Sequence, residues 1–511
     1  METQPRKEGS SLTGQAFWLM LARTVAFAFS FALPLLLVRR LTQHDLGLYR
    51  QVFLIVLSAT TVLPLGFHMS AFYFLPREPQ RQSQVVLNIT LFFVLVAGLT
   101  AGVFFFRPTL LASIFNSPDL GSLAPLVSLV LFLWVATAHL EYLAMANQEM
   151  RLATIMIVAL TLTRTSLLLS AALWFGSVRA LLWGAVMQGL LQAGVLAVYL
   201  HSRFKPIAGG FNFDLMRRQL SYAIPLGFAT LLYWMQLDTH NYFVSNVFGT
   251  ATFAVYSIGC FQIPLIHILG DAVGSVMIPR VTHLETQNQH YEIIVLTARM
   301  MRKVALVYFA LYALLLVVSR EFVLVLFTER YLASHPIFVV NLTMILISFM
   351  SSIYDPVMRA YAEHRFFLLR LRAVLLTSLL VVLWFGTARL GLTGVITLVV
   401  GVNLIERIAV LAKAARIVGV RKQDLVLFKD VAKLAGAALI AGAAAWGARI
   451  MLAGLKPFVV LVVCSIAFVC VYGAAIWLFK VVTPEERLTL ARKLAGVTRV
   501  ARWWRAVEPV V

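Results

Sequence analysis

The chain has 511 residues, of which 61% are apolar and only 13% are charged, whereas soluble domains carry roughly 25% charged residues. This composition excludes a water-soluble globule, because too few polar side chains are available to cover its surface. The formal charge is +21, from 43 Lys and Arg against 22 Asp and Glu. Since the basic residues lie between long apolar runs, they indicate membrane topology rather than nucleic-acid binding.

Residues 1–15 are polar and precede an apolar run that continues to Val38. The run is too long for a signal peptide and lacks a small-residue cleavage site, so we predict a retained first span. Because a helix needs about 20 apolar residues to cross a bilayer, the chain predicts an all-α polytopic membrane protein with about fourteen transmembrane helices. The predicted spans are 15–38, 48–75, 83–106, 122–146, 150–175, 178–201, 218–245, 250–279, 302–327, 333–358, 366–387, 392–414, 430–453 and 457–480.

The orientation of these spans follows from the basic residues that flank them. If the N-terminus is cytoplasmic, the cytoplasmic side carries about three times as many Lys and Arg as the opposite side. The positive-inside rule therefore predicts that both termini are cytoplasmic. Arg39, Arg40 and Arg50 are exceptions, because they fall on the outer side.

The span order predicts the domain organisation. We expect a six-helix lobe at 1–201, a cytoplasmic linker at 202–217, a second six-helix lobe at 218–414 and two further transmembrane helices at 430–480. Residues 483–507 combine a basic face with apolar residues at helical spacing, which predicts an amphipathic helix on the anionic cytoplasmic leaflet. The alternative is a surface helix packed on the protein itself.

A weak internal repeat links the two predicted lobes. The stretch "TQHDLGLYR" from Thr42 aligns with "GTATFAVYS" from Gly249, so that Tyr49 meets Tyr256. Because each lobe has an even number of spans, the two lobes would be related by a pseudo-two-fold axis along the membrane normal. We expect each copy to form a short external hairpin, with Gly47 at the turn and both tyrosines at the membrane–water boundary.

Three stretches carry a family resemblance. They are "LPLLLVRRLTQHDLGLYRQVFL" from Leu33, "IPLGFATLLYWMQLDTHNYFV" from Ile224 and "FVLVLFTERYLASHPIFVVNL" from Phe322. They resemble polysaccharide-type (Wzx-like) oligosaccharide flippases, in the superfamily that also holds the lipid II flippase and multidrug and toxin extrusion transporters. The resemblance covers most of the first twelve spans. One departure is Asp238-Thr239, where these proteins often have Asp-Arg.

The resemblance implies a flippase that moves a lipid-linked, undecaprenyl-diphosphate-type oligosaccharide by alternating access for O-antigen or exopolysaccharide export. It implies the bacterial cytoplasmic (inner) membrane as the location, and the lipid-linked substrate, the bilayer and a polysaccharide polymerase machinery as partners. The alternative within the superfamily is a multidrug and toxin extrusion-type cation antiporter. A third hypothesis is a membrane glycosyltransferase, polymerase or ligase, which the short outer loops disfavour.

No sequence motif points to catalysis, a cofactor or a metal. The chain has no P-loop, HExxH, CxxC or Ser-His-Asp pattern, and Cys260, Cys464 and Cys470 all lie inside apolar runs, where they fit packing roles. We therefore predict that the protein is not an enzyme and needs no cofactor.

Basic residues inside the predicted spans are candidates for substrate binding. Arg23, Arg50 and Arg164 all fall in the first half of the chain. Arginine suits a diphosphate, because its planar fork donates two charge-assisted hydrogen bonds and stays charged. The resemblance supports this role for Arg23 and Arg50, whose placement is similar to that of cavity-lining arginines in the lipid II flippase. The alternatives are pairing with a carboxylate or helix end and, for Arg50, extension to the interface.

Acidic residues and a histidine inside the spans are candidates for ion or proton coupling, because ionisable groups in lipid usually serve a function or face a partner. The alternatives are salt bridges, including pairs within one helix such as Asp355 with Arg359 and Glu406 with Arg407, and a packing role for the histidine. The candidates are Glu141, Asp238, His240, Asp271 and Asp355.

Prolines within the leading spans of both lobes predict bends, because proline removes a helical hydrogen bond. They are Pro34, Pro64, Pro225 and Pro264.

Overall fold

A computed structural model describes residues 29, 31–205, 210–361 and 365–481 of the chain. In these residues the regular structure is entirely helical. The α-helices are α1 (Ala32–Arg40), α2 (Gln43–Val62), α3 (Ser70–Arg77), α4 (Gln82–Phe106), α5 (Pro108–Phe115), α6 (Asp119–Thr137), α7 (Leu140–Ala146), α8 (Met150–Trp174), α9 (Val178–Arg203), α10 (Phe213–Phe248), α11 (Thr250–Gly259), α12 (Pro264–Thr286), α13 (His290–Val317), α14 (Ser319–Phe327), α15 (His335–Leu342), α16 (Met344–Ala360), α17 (Arg365–Val418), α18 (Lys429–Met451) and α19 (Pro457–Leu478).

The protein is a multi-pass membrane protein, as the composition predicts. Ten helical stretches of the described chain are long and apolar enough to cross a membrane. Each of them overlaps a predicted span, and the stretch Phe366–Val418 contains two, separated where Gly391 has a φ of 65°. The predicted spans at 218–245 and 430–453 correspond to α10 and α18. Most of the first predicted span, and the predicted amphipathic helix at 483–507, lie outside the described residues.

The proline-containing spans differ in how far they bend. Helix α2 ends at Val62, and Pro64 belongs to the non-helical turn that follows. Residues 261–263 are also non-helical, and Pro264 opens α12 at its first position. By contrast, Pro34 lies within the first turn of α1, and α10 continues through Pro225. The helices are therefore interrupted at Pro64 and just before Pro264, whereas α10 runs through Pro225 without a break.

Most helices pack against neighbours from their own half of the chain. We call α1–α9 the N-terminal group and α10–α19 the C-terminal group. Within the first, α6 packs against α4 and α9, and α8 packs against α9. Within the second, α12 packs against α16, and α10 packs against α17. The hairpin of α18 and α19 lies against α13 and α14.

The stretch that we expected to form a hairpin turn is part of a helix. The Thr42 hydroxyl accepts a hydrogen bond from the Asp45 backbone N–H (3.0 Å) and caps α2, so the helix begins at Gln43. Gly47 and Tyr49 therefore lie within α2, and Tyr256 is fully buried within α11. The placement of Gly47 at a turn and of Tyr256 at the membrane–water boundary is wrong, because the chain turns earlier, at residues 41–42.

The two copies of the repeat nevertheless meet, because α2 packs against α11. A Cβ atom at Gly47 would lie 2.0 Å from the Thr250 carbonyl oxygen, so only glycine permits this approach. Gln51 Nε2 donates to Ser245 Oγ at 2.7 Å. We call this contact the repeat interface. It lies at the end of the bundle that holds residues 41–42 and 249, which we call the predicted outer end.

Arg39 adds a second contact between the groups at the predicted outer end. Its guanidinium donates to the carbonyls of Val325 (2.8 Å) and Leu326 (2.9 Å), the last turn of α14. These carbonyls lack helical partners and carry the negative end of the helix dipole, so a cation stabilises them. The basic exception to the positive-inside rule at Arg39 therefore caps a helix.

Candidate functional site

Arg50 and Arg164 converge on one side chain in the N-terminal group. Both lie within electrostatic range of Tyr49, and both are half-buried. The Arg164 guanidinium also lies over the Trp134 ring, 5.5 Å from its centroid, in cation–π geometry. We call Arg50, Arg164 and Tyr49 the arginine site. The third predicted arginine, Arg23, lies outside the described residues.

The two arginines come from different helices of the N-terminal group. The Thr42 cap fixes the start of α2, so Arg50 lies two turns inside it. Arg164 lies near the middle of α8, an apolar helix of 25 residues. Both α2 and α8 pack against α9 and α1, and this packing brings the two arginines to the same site.

Arg50 is incompletely hydrogen-bonded where it is most enclosed. Its Nε atom is buried and has no hydrogen-bond partner among the described residues. Tyr331, from the C-terminal group, lies within electrostatic range of Arg50, and its hydroxyl is likewise buried without a partner in the described chain. A buried donor without an acceptor destabilises the folded protein. In the arginine site this donor lies near the Tyr331 hydroxyl, which also has no hydrogen-bond partner in the described chain.

Glu141 lies within electrostatic range of Arg164 and is half-buried. Glu141 is therefore close in space to Arg164, one of the predicted binding arginines. The other predicted coupling residues belong to the C-terminal group. One carboxylate against two guanidiniums leaves the arginine site with a positive balance. The site thus has the sign of charge that an anionic ligand needs.

The other predicted coupling residues lie apart in the C-terminal group. Asp238 is half-buried on α10, within electrostatic range of Tyr242. His240 is buried, and its Nδ1 atom is 2.7 Å from the Tyr256 hydroxyl, the geometry of a packing histidine. Asp271 is exposed on α12.

Asp355 belongs to a set of paired charges that we call the charge network. Arg407 Nη1 donates to Asp355 Oδ1 at 2.9 Å, joining α17 to α16. Glu406 has a fully buried side chain and accepts from Arg372 Nε at 3.0 Å. Gln236, on α10, donates to the other Glu406 oxygen at 2.7 Å. The pairing of these acids thus involves helix-to-helix contacts rather than only the neighbours within one helix that the sequence suggested.

Sequence reasoning missed Arg372 and Gln236 as members of this network. Both lie inside apolar runs, at positions where a polar side chain is unusual. The same signal that drew attention to Arg164, a charge inside a predicted span, would have identified Arg372 within the span 366–387.

A cavity adjoins the charge network in the C-terminal group. It contains about 620 Å³ of space not occupied by atoms and is lined by Arg407 and mostly uncharged groups. The interrupted span between α11 and α12 contributes to its wall, and Asn341 Nδ2 donates to the freed Phe261 carbonyl at 3.0 Å. The polar lining residues include Tyr233, Gln262, Ser348, Ser351 and Asn403.

The described part of the chain holds no group of three or more His, Cys, Asp or Glu side chains that could bind a metal ion. The three cysteines are free thiols.

Solved structures with the same fold are membrane transporters. The lipid II flippase MurJ in an inward closed conformation matches with a TM-score of 0.69 and 13% identity, covering 89% of this chain and 98% of that one. An inward-facing multidrug resistance MATE family transporter of the MOP superfamily has a TM-score of 0.58 and 11% identity, covering 78% and 98%. A MOP superfamily transporter from Pyrococcus furiosus has a TM-score of 0.56 and 11% identity, covering 81% and 99%.

These likenesses show the fold alone, because the identities are low. A search of curated proteins finds no match to the chain. The family model described as "Polysaccharide biosynthesis protein" matches residues 36–336, more than half of the chain. The chain therefore belongs to the polysaccharide biosynthesis protein family and has the fold of the MOP-superfamily transporters.

Proposed function

We propose that the protein is a flippase for a lipid-linked oligosaccharide whose lipid carrier bears a diphosphate of the undecaprenyl type. Family membership supports a role in polysaccharide biosynthesis, and the fold supports translocation. The observation that carries the proposal is the arginine site, where Arg50 and Arg164 both lie within electrostatic range of Tyr49 and Glu141 lies within range of Arg164.

The physical reason is charge matching. A diphosphate taken from water into a membrane protein loses its hydration, and this loss must be offset by fixed positive charge. The guanidiniums of Arg50 and Arg164, joined by Arg23 in this proposal, would offer planar pairs of donors to the diphosphate oxygens.

We further propose that the protein acts in the bacterial inner membrane with both termini cytoplasmic, and that a polysaccharide polymerase uses its product. Transport would proceed by alternating access between a lobe at 1–201 and a lobe at 218–414. The repeat interface and Arg39 close the predicted outer end between these parts of the chain, and release of the sugar there would require them to separate.

The acidic residues favour this proposal over a cation antiporter. Asp355 and Glu406 pair with Arg407 and Arg372, so their charge is already balanced. Asp238 is the predicted coupling carboxylate that keeps its place in the proposal, because it is half-buried and, among the described residues, forms no salt bridge. A carboxylate in that setting suits the uptake of a proton or small cation that drives transport.

The proposal is tested by measuring translocation of undecaprenyl diphosphate carrying a fluorescent disaccharide in liposomes, with a membrane-impermeant quencher to report the outer leaflet. The Arg50→Ala/Arg164→Ala variant should flip this lipid about a hundredfold more slowly, since two charge-assisted contacts are each worth about tenfold. Arg50→Lys/Arg164→Lys should recover only part of the rate, because lysine lacks the planar fork.

The matched control is Arg107→Ala/Arg389→Ala, which removes two exposed arginines elsewhere in the chain. It should flip the lipid at the wild-type rate. Wild-type rates in the Arg50→Ala/Arg164→Ala variant, with normal folding and reconstitution, would rule out the arginine site as the diphosphate site. Efflux of an organic cation without lipid translocation would replace the flippase by an antiporter.

A further inference from the structure

A stack of three side chains joins the N-terminal and C-terminal groups away from the arginine site. The guanidinium carbon of Arg77 lies 3.9 Å from the centroid of the Tyr73 ring, in cation–π geometry. The Tyr73 ring stacks in turn on the ring of Tyr222, from α10, with 4.5 Å between the centroids and 30° between the planes. We call Arg77, Tyr73 and Tyr222 the aromatic platform.

The aromatic platform lies at the end of the bundle from which the proposed flippase takes up its substrate. Arg77 ends α3 and adjoins residues 78–81, which connect two predicted spans. Tyr222 lies about one turn inside the predicted span 218–245, next to the linker at 202–217. The positive-inside rule predicts that both connections are cytoplasmic.

The platform is open to a ligand. The Tyr222 residue is 36% exposed, and Arg77 is exposed as well. Arg77 Nη1 donates to the Tyr73 carbonyl at 3.3 Å, and the other N–H groups of this guanidinium form no hydrogen bond with the described residues. Because a guanidinium has five N–H donors, Arg77 keeps accessible donors beside an accessible ring.

An exposed ion pair adds an acceptor and further donors. Arg218 Nη1 donates to Glu78 Oε1 at 3.2 Å, and the two side chains are 45% and 26% exposed. Glu78 is the chain neighbour of Arg77. Arg218 lies four residues before Tyr222 in α10, and therefore on the same face of that helix. Charged groups of both signs thus lie close to the platform.

This combination suits a sugar ring. A pyranose has an apolar face of C–H bonds, which packs on an aromatic ring, and a rim of hydroxyl groups that both donate and accept hydrogen bonds. Sites of this kind join apolar and aromatic surface to a few polar groups that fix orientation. A lipid chain would use the ring but not the charges, and a phosphate would use Arg77 but not the ring or Glu78.

We propose that the aromatic platform binds a sugar ring of the lipid-linked substrate when the protein takes it up. The C–H face of the sugar lies on Tyr222, while its hydroxyl groups donate to Glu78 and accept from Arg77. This inference rests on the proposed function and deepens it, because it assigns recognition of the sugar and of the diphosphate to separate residues.

Saturation-transfer NMR of the full-length protein, in a detergent without sugar, tests the proposal. The probe is the free disaccharide that the translocation assay attaches to undecaprenyl diphosphate. With the wild-type protein, C–H protons on one face of a sugar ring should receive the most saturation, because that face lies on Tyr222. In a titration, Tyr222→Ala should weaken binding about tenfold, the loss of one aromatic contact, whereas Tyr222→Phe should bind like the wild type.

A second variant and a control keep the test decisive. Arg77→Ala removes an exposed side chain at the end of α3, so it should fold normally and still weaken binding of the disaccharide. The matched control is Tyr291→Ala, which removes a tyrosine that is 58% exposed near the start of α13. It should bind the disaccharide like the wild type.

The arginine site provides the comparison that separates this inference from the proposed function. Arg50→Ala/Arg164→Ala should bind the free disaccharide like the wild type, because the probe carries no diphosphate, although it flips the lipid slowly. A wild-type protein that binds the disaccharide but does not flip the lipid would refute the flippase and not the sugar site.

Two results would overturn the sugar site while the flippase stands. One is translocation of the lipid by a wild-type protein that transfers no saturation to the disaccharide. The other is binding of the disaccharide that persists unchanged in both Tyr222→Ala and Arg77→Ala.

Discussion

The arginine site and the charge network contain the same kinds of group in opposite states of pairing. In the charge network, Arg372 and Arg407 face Glu406 and Asp355 at hydrogen-bond distance, so that charges balance. In the arginine site, Arg50 has a buried Nε without a partner in the described chain, and Glu141 lies within electrostatic range of Arg164. Both regions are inside apolar helices, and the sequence alone does not show which of their charged residues are paired.

The difference in pairing suggests different roles for the two regions: the charge network stabilises the fold, and the arginine site binds substrate in our proposal. A buried ion pair contributes little net stability, but its loss is costly because one charge remains without a partner. The charge network therefore holds α10, α16 and α17 in register. An unbalanced cation inside the bundle contributes nothing comparable to stability, and in our proposal its partner is the substrate.

Breaking the charge network should have the largest effect on stability. Glu406→Ala leaves Arg372 and Gln236 without their acceptor and should destabilise the protein by about 3–5 kcal/mol. The midpoint of thermal unfolding in detergent, followed by tryptophan fluorescence, measures the change.

The exposed Glu329 provides the control, since Glu329→Ala should leave the midpoint nearly unchanged. A Glu406→Ala variant as stable as Glu329→Ala would show that the network does not hold these helices together.

Opening the repeat interface should have an intermediate effect on stability. It should also make the arginine site more accessible to solvent than the cavity beside the charge network. Gly47→Ala places a Cβ atom against the Thr250 carbonyl and should cost about 1–3 kcal/mol, as overpacking does. Because Gln51 of this interface is the chain neighbour of Arg50 in α2, a cysteine at position 50 should react faster with a membrane-impermeant maleimide. A cysteine at Ser348, in the cavity beside the charge network, should not.

Gly98→Ala is the matched control, because this helical glycine has open space around the added atom. It should be neutral or stabilising through the better helix propensity of alanine. The two glycine variants behaving alike would mean that the repeat interface tolerates separation.

The smallest expected effect on stability comes from replacing an arginine of the arginine site, in comparison with an arginine of the charge network. Arg50→Leu removes a half-buried, incompletely bonded charge, so its stability should change by less than about 1 kcal/mol, or increase. Arg372→Leu leaves Glu406 buried with fewer donors and should lower the unfolding midpoint clearly.

The ratio of these two effects measures the contrast between the regions. Equal losses of stability would show that Arg50 is as fully paired as Arg372, and would remove the structural basis for its proposed role in binding.

Apolar length made the helices predictable. A helix of about 20 apolar residues is the simplest way to satisfy the backbone in lipid, so the observed transmembrane stretches each overlap a predicted span. Pro64 and Pro264 also marked interruptions correctly, because proline cannot donate a helical hydrogen bond. Pro225 lies within the continuous helix α10.

The repeat was visible in sequence, but its meaning was not. The segments that hold Tyr49 and Tyr256 lie in helices that pack against each other, while the interpretation of Gly47 as a turn residue failed. Gly47 is required because another backbone comes within contact distance, and no property of the local sequence reports the approach of a segment 200 residues away.

By itself, the sequence determined that the chain is a helical membrane protein, which helices it contains and which polar residues lie inside them, because hydrophobicity and hydrogen bonding in lipid act locally. Only the tertiary structure decided which of those residues are paired. Within the described residues, Arg372 and Arg407 pair with carboxylates, whereas Arg50 Nε and Glu321 Oε2 have no hydrogen-bond partner. Pairing depends on side chains that distant helices bring together.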